Sequence, residues 1–160
     1  MLSTIAFMRK CWRLPWHDRL LLLEAMFWLT AAGLAIAVLP FRYLGQLAAL
    51  SVRGPEPPLQ KRQTDVRRIR WALLACSRRI PWRAKCFEQG LAAQFMLRLR
   101  GISSVLYYGA ALDSQRGLAA HVWVCDGKVD VVGGEVASDY AVLATFPSKV
   151  ALDKRGSTPR

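Results

Sequence analysis

The sequence has few of the residues that metal sites and disulfide frameworks require. Among its 160 residues, His17 and His121 are the two histidines, so a zinc site would have to be assembled from scattered ligands without helpful spacing. The four cysteines are irregularly placed and form no C-x-x-C pair, which excludes a disulfide framework and favours a reducing compartment. We therefore expect neither a bound metal nor a cofactor.

Acidic residues are also scarce, since 11 Asp and Glu stand against 23 Lys and Arg, which gives a net charge of +12. Such a balance suggests an acidic partner, an acidic lipid surface or nucleic acid. The basic segments lack the repeated aromatic residues on which bases stack, so we expect no specific nucleic-acid binding. Hydrophobic residues make up 53% of the chain, enough for the core of one domain with an appended helical segment.

One long apolar run extends from Leu20 to Leu39 and follows a basic segment. It is long enough to cross a membrane, but it contains Glu24, and an acidic residue at the centre of a span costs about 2.5–3.5 kcal/mol on insertion scales. Three interpretations stay open: a buried or membrane-surface helix, a transmembrane span, and a cleaved signal sequence, favoured in that order. We expect a cytoplasmic protein, with membrane association as the alternative.

Prolines divide the chain. The segment Gly54 to Gln63 contains three of them and is predicted to be an extended linker, because proline interrupts helices. It separates an N-terminal apolar helical segment, residues 1–53, from a core at residues 64–147, and residues 148–160 are predicted to form a flexible polar tail. The core begins with an amphipathic helix predicted from Thr64 to Arg79.

Cys86 opens the next predicted helix, which stops before Gly101. The free backbone N–H groups and the dipole at a helix start favour a thiolate, and Arg83 and Lys85 add positive charge. Gly90 lies one turn along the same face and leaves space beside the sulfur for another element. The pattern predicts a nucleophilic cysteine.

Strand patterns follow the helix, at Ser103 to Leu112, Leu118 to Cys125, Lys128 to Val132 and Ala141 to Phe146. The second and third of these runs are joined by Asp126-Gly127, a strong signal for a two-residue hairpin turn.

The expected hairpin register places residue 125 opposite residue 128. His121 and Asp130 then share one face as diagonal neighbours, roughly 7–8 Å apart between backbones and within side-chain reach. Cys125 shares that face but lies about 13 Å from His121 at about 3.3 Å per residue, too far for proton transfer, so we expect it to be a packing residue. Asp126 is in the turn, which leaves Asp130 as the carboxylate to orient the imidazole.

Several short motifs together resemble the transglutaminase-like cysteine-protease superfamily. They are Trp82-Arg83-Ala84-Lys85-Cys86, Leu99-Arg100-Gly101-Ile102, Tyr108-Gly109 and Ala120-His121-Val122-Trp123-Val124. Within that superfamily these motifs, with PWHDRLLLLEA and LPFRYL upstream, are most similar to the leader peptidases of lasso-peptide biosynthesis.

The resemblance implies hydrolysis of the peptide bond that joins an N-terminal leader to the core of a ribosomally made precursor, before a separate cyclase closes the ring. Carried over to this sequence, it assigns Cys86 as nucleophile, His121 as general base and acid, and Asp130 as the orienting carboxylate. Some family members carry a fused β-rich recognition domain, whereas the N-terminus here is helical. The resemblance therefore implies three partners: the precursor peptide, a separate small leader-recognition protein and a lasso cyclase.

Two other functions remain as alternatives. One is a membrane-associated interaction protein that uses Leu20 to Leu39 and in which Cys86 is incidental. The other is a different acyl-transfer enzyme of the same superfamily. In fold class we expect α+β, with a helical N-terminal half on one side of a small antiparallel sheet and the Cys86 helix against the strands that carry His121 and Asp130.

Overall fold

The structure, a computed structural model, describes residues 14–52, 55–79, 85–113, 117–127 and 129–148. Within these ranges four helices precede four strands, and a short 3-10 helix lies between the last two strands. The elements are α1 (Trp16–Val38), α2 (Phe41–Ala49), α3 (Leu59–Ser77), α4 (Cys86–Arg98), β1 (Val105–Asp113), β2 (Gly117–Asp126), β3 (Val129–Val132), the 3-10 helix (Gly134–Asp139) and β4 (Ala141–Phe146). The expected α+β class is confirmed.

The four strands form one antiparallel sheet in the order β3-β2-β1-β4. Helix α4 contacts β2 on one side and both α1 and α3 on the other, so it lies between the sheet and the remaining helices. The buried core contains side chains from both the helices and the sheet. Among its largest side chains are Leu29, Ile69, Leu73, Leu91, Met96, Leu106, Val122 and Val124. The helices therefore cover one face of the sheet, as expected.

The start of α3 differs from the expectation. The helix begins at Leu59, so the second half of the segment predicted to be an extended linker is helical. The reason is that Pro58 immediately precedes the first helical residue, with φ −52°, and proline is unfavourable in a helix interior but well suited to a helix start. The division of the chain into two segments at this point stays a prediction, and residues 149–160 of the predicted tail lie outside the described residues.

Helix α1 is apolar on all sides but is covered on one. Its buried side chains face α3 and α4, and Trp28 stacks on Phe95 with ring centroids 4.7 Å apart. The opposite side exposes Leu20, Leu23, Phe27, Leu34 and Val38. Among the described helices it is the one long and apolar enough to cross a membrane, which by itself is weak evidence, since core helices and signal sequences pass the same test.

Glu24, the carboxylate inside the apolar run, is paired with Arg100 just after α4. The two Nη atoms of Arg100 donate to the two carboxylate oxygens at 2.8 and 2.7 Å. About a quarter of each side chain is exposed, 23% for Arg100 and 25% for Glu24. The charge of Glu24 is therefore matched across the contact between α1 and α4.

Arg70 of α3 covers the outer edge of β3. Its Nη1 donates to the backbone carbonyls of Asp130 and Val131 at 3.0 and 3.3 Å, and its Nη2 donates to Glu135 at 2.5 Å. Carbonyls on an edge strand have no neighbouring strand to accept from, so the guanidinium supplies donors that the sheet does not.

Candidate active site

Cys86 is the first residue of α4, as predicted. Lys85 precedes it in an extended conformation, and its backbone N–H donates to the Glu88 carboxylate at 3.0 Å, which fixes the first turn. The Cys86 side chain is half-buried and packs against the core. A sulfur at this position lies near backbone N–H groups that have no partner within the helix, a setting that stabilises an anion. Trp82 and Arg83 of the predicted motif lie outside the described residues.

Aromatic side chains from three elements meet beside this helix start. The ring of Phe41, at the start of α2, lies 5.9 Å from the rings of both Phe87 and Tyr108. Phe87 and Tyr108 pack against the same core as Cys86. Phe41 of α2 thus packs against Phe87, the residue that follows Cys86, and sequence reasoning missed this contact because Phe41 is 45 positions away in the chain from Cys86.

Gly90 allows α4 to approach the sheet closely. A Cβ at this position would lie 2.8 Å from Val122 Cγ1 and 3.3 Å from Leu106 Cδ1, so a larger residue would push the helix away. The prediction that Gly90 leaves room for another element is confirmed, and that element is the sheet face formed by β1 and β2.

The hairpin register differs from the prediction by two residues at Cys125. Cys125 pairs with Asp130 and Asp126 pairs with Val129, so Asp126 belongs to β2 and not to the turn. The bulge between residues 124 and 125 then gives β3 one residue more than β2 at this point. The predicted pairing of 125 with 128 is therefore wrong.

A long-range contact accounts for the different turn. Asp126 is buried, and its carboxylate accepts hydrogen bonds from Arg62 Nε at 2.9 and 2.8 Å. Arg62 lies on α3, which therefore holds Asp126 in the β2 ladder. Gly127 takes the left-handed conformation with φ +61° in its place.

His121 on β2 is held by a backbone carbonyl. Its Nε2 lies 2.7 Å from the carbonyl oxygen of Gly133, and because a carbonyl can only accept, Nε2 carries the proton and Nδ1 is left as the basic nitrogen. The imidazole is flanked by the rings of Trp123 and Tyr140, at 6.0 and 5.0 Å. Gly133 has φ +77°, and a Cβ there would lie 2.6 Å from the Val122 carbonyl.

The residues that orient His121 are thus Gly133 and the two aromatic rings. Sequence reasoning missed Gly133 and Tyr140. A glycine directly after a strand was the available signal for a left-handed residue.

Asp130 contacts Cys125. The Cys125 thiol donates to Asp130 Oδ1 at 3.3 Å, while burial and this hydrogen bond raise the pKa of Cys125 to about 12. Cys125 is therefore a protonated thiol at neutral pH, consistent with the packing role predicted for it. Asp130 also lies against Gly134, where an added Cβ would overlap its carboxyl group. In the described part of the chain no hydrogen bond joins Asp130 to His121, so the register argument for the pair is lost.

The sheet also separates His121 from the face on which α4 packs. Val122 and Val124 face Gly90, and neighbouring residues of a strand point to opposite faces, so the His121 side chain points away from α4. No hydrogen bond between Cys86 and His121 is found among the residues that the structure describes. The structure thus places both residues on adjoining elements without bringing the sulfur and the imidazole into contact.

In the described ranges no group of three or more His, Cys, Asp and Glu side chains is arranged to hold a metal ion.

Comparison with known proteins identifies the domain. The family model described as the transglutaminase-like superfamily matches residues 26–145, about three quarters of the chain. No curated protein and no solved structure matches the chain significantly. The matched range contains the helix that starts at Cys86 and the strand that carries His121. This chain therefore belongs to the transglutaminase-like superfamily, whose members are generally cysteine-dependent enzymes.

Proposed function

We propose that this protein is a cysteine endopeptidase that removes the N-terminal leader from a ribosomally made lasso-peptide precursor. The observation that carries the proposal is the position of Cys86, the first residue of a helix packed on the sheet of a transglutaminase-like domain. The motif around His121 supports the peptidase assignment through its resemblance to lasso-peptide leader peptidases. A small leader-recognition protein and a cyclase are the proposed partners.

The proposed reaction has two steps. The Cys86 thiolate attacks the carbonyl carbon of the scissile bond, and the resulting oxyanion is stabilised by N–H groups at the start of α4. Protonated His121 donates its proton to the leaving nitrogen, which frees the core peptide with a new amino terminus. His121 then takes a proton from water, whose oxygen attacks the thioester, and the leader departs with a carboxylate.

This chemistry requires the Cys86 sulfur within hydrogen-bond distance of the His121 ring during the reaction. The described structure lacks that contact and points the His121 side chain away from α4, so the proposal requires substrate binding to turn this part of β2 toward the start of α4. Asp130 is proposed as the orienting carboxylate on the strength of the resemblance. Its contact with Gly134, next to the carbonyl that holds His121, gives it an indirect route to the imidazole.

Thiol reactivity tests the proposal without a substrate. In a Cys11→Ser background, iodoacetamide at pH 7.5 should alkylate Cys86 first, since Cys76 is buried and Cys125 is protonated, and these two cysteines serve as internal controls. Cleavage of a precursor encoded beside this chain, with its recognition protein present, should be lost in Cys86→Ala and kept in Cys125→Ala. An unreactive Cys86, or cleavage that survives Cys86→Ala, would overturn the assignment.

A second candidate, association with a membrane surface, is favoured by one observation. The outward side of α1 exposes large apolar side chains in helical spacing, among them Trp16, Leu20, Leu23 and Phe27. Together with a charge of +12, this surface is suited to an anionic bilayer. Such association is compatible with the peptidase, and binding to vesicles that contain anionic lipid, compared with neutral vesicles, tests it.

A further inference from the structure

Three aromatic side chains from different elements form a patch beside the start of α4. They are Phe41 at the start of α2, Phe87 in the first turn of α4 and Tyr108 of β1. The ring of Phe41 lies 5.9 Å from each of the other two rings. These three residues are called the aromatic patch below.

The aromatic patch is only partly covered by the rest of the chain. Phe87 and Tyr108 are half-buried and pack against the hydrophobic core, whereas Phe41 is 55% exposed. Val38 and Leu39, which precede Phe41 at the corner between α1 and α2, are exposed as well. A single exposed apolar residue is ordinary, but several together at one corner mark a surface that binds something.

The position of the aromatic patch relative to Cys86 indicates what it binds. Phe87 follows Cys86 directly, so the two Cα atoms are about 3.8 Å apart. Tyr108 precedes Gly109, which pairs with His121, so the patch lies next to the proposed base along the sheet as well. An extended peptide advances about 3.3 Å per residue. A peptide whose scissile carbonyl lies at Cys86 therefore has side chains within reach of the patch.

The chemistry of the aromatic patch favours an apolar side chain over a charged one. Arg42, the cation next to Phe41 in the chain, has its guanidinium 4.7 Å from the Tyr43 ring and donates to the Tyr43 hydroxyl at 3.1 Å. A charged substrate side chain on the patch would lose water without gaining an oppositely charged partner there. A leucine or phenylalanine side chain would gain burial against the exposed ring of Phe41.

We propose that the aromatic patch is a specificity site for a large apolar side chain of the peptide substrate, within about three residues of the bond that Cys86 attacks. This inference rests on the proposed peptidase function, because the patch and Cys86 contact the same bound peptide. Phe41 supplies the ring that the substrate side chain covers, and Phe87 and Tyr108 hold that ring in place. Helix α2 thus takes part in substrate selection although it carries none of the proposed catalytic residues.

Alkylation of Cys86 by two iodoacetamides tests the site without a known substrate. The reagents are iodoacetamide and N-phenethyl iodoacetamide, which carries a phenyl ring on a short arm. In the Cys11→Ser background at pH 7.5, mass spectrometry of the Cys86 peptide gives both rate constants, and free cysteine gives their intrinsic ratio. At Cys86 the ratio of phenethyl reagent to iodoacetamide should exceed that intrinsic ratio roughly tenfold, because the phenyl ring is buried against Phe41.

Substitutions of Phe41 test whether the aromatic patch causes the difference. Phe41→Ala should bring the ratio to within about twofold of the free-cysteine value, and Phe41→Leu should keep most of it, because leucine retains apolar surface. Trp71→Ala is the matched control. Trp71 is also an exposed aromatic residue, but it lies beside His17 and Asp18, at the opposite end of α1 from Phe41. This variant should keep the full ratio.

The outcomes separate this inference from the proposed function. A Cys86 that reacts with iodoacetamide but shows the free-cysteine ratio overturns the specificity site and leaves the nucleophile in place, whereas a Cys86 inert to both reagents overturns both. The wild-type ratio decides this even where a variant does not fold. An unchanged ratio in folded Phe41→Ala also overturns the site. If that variant then binds anionic vesicles more weakly, the aromatic patch is a membrane surface instead.

Discussion

Replacing Gly133 by alanine should destabilise this protein more than the same replacement at Gly117. Both residues have a positive φ, +77° and +74°, so both variants carry the cost of a left-handed alanine, about 1–2 kcal/mol. Nothing lies within 4 Å of a Cβ at Gly117, whereas at Gly133 the Cβ would lie 2.6 Å from the Val122 carbonyl and 3.2 Å from Trp123 Cα. Gly117→Ala therefore measures the cost of the backbone conformation alone, and the difference between the two variants measures the cost of the close contact at Gly133.

The extra cost at Gly133 follows from this contact. Forcing atoms into a packed site costs about 1–3 kcal/mol, and backbone atoms yield less readily than a flexible side chain. The expected losses are about 2–5 kcal/mol for Gly133→Ala and about 1–2 kcal/mol for Gly117→Ala. Stabilisation through the unfolded chain is the same for both variants and cancels in the comparison.

Urea unfolding followed by circular dichroism at 25 °C measures the two free energies. Gly133→Ala should also move the carbonyl that accepts from His121, so the imidazole NMR signals of the folded variant should shift, while those of Gly117→Ala should not. Equal destabilisation by the two substitutions would refute the close contact. Unchanged His121 signals in Gly133→Ala would refute the orienting role of the Gly133 carbonyl.

Three further predictions concern the chemistry, the α1–α4 contact and the long apolar helix. His121→Ala should abolish precursor cleavage while the fold is kept, because the variant lacks the general base. Asp130→Ala should reduce cleavage less, because the base stays in place when the group that orients it is removed. Near-wild-type turnover of His121→Ala would contradict the assignment. Glu24→Gln should lower the free energy of unfolding in urea by about 1–3 kcal/mol, because it leaves the Arg100 guanidinium without its counter-ion. Lys61→Gln, which breaks the exposed pair with Asp65, should lower it by less than about 1 kcal/mol. Similar values for both variants would refute the importance of the pair between Glu24 and Arg100. The full-length protein should be released from membranes by alkaline carbonate, because α1 is packed against α3 and α4. Resistance to carbonate would indicate an integral span, which would place Cys86 on the opposite side of the membrane from a cytosolic precursor.

The sequence predicted the boundaries of helices and strands correctly where residues close to the boundary determine it. Helix α4 starts at Cys86, as the composition of that segment predicts, and it ends at Arg98, shortly before Gly101, whose φ of +70° is typical of a glycine that follows a helix. The bounds predicted for β4, Ala141 to Phe146, are those observed. In each of these cases the deciding residues lie within a few positions of the boundary.

Interactions between distant segments account for what the sequence could not predict. The Asp-Gly pair is a strong turn signal, yet Asp126 is drawn into the β2 ladder by Arg62, 64 positions earlier in the chain. Glu24 likewise finds Arg100, 76 positions later. Neither contact has a local signature, and the change of register that accompanies the first places Asp130 opposite Cys125 and away from His121. The carboxylate assignment was therefore the part of the site least accessible to sequence reasoning.

Arg70 has a consequence for how this protein behaves at high concentration. An exposed strand edge invites pairing with the same edge of another molecule, which is a route to aggregation. At β3 the carbonyls of Asp130 and Val131 already accept from the Arg70 guanidinium, so a strand from a second molecule would first have to displace a charged donor. The opposite edge is β4, where Val142 and Leu143 are exposed. Association between sheets should therefore begin at β4, and a lysine at position 143 should delay it.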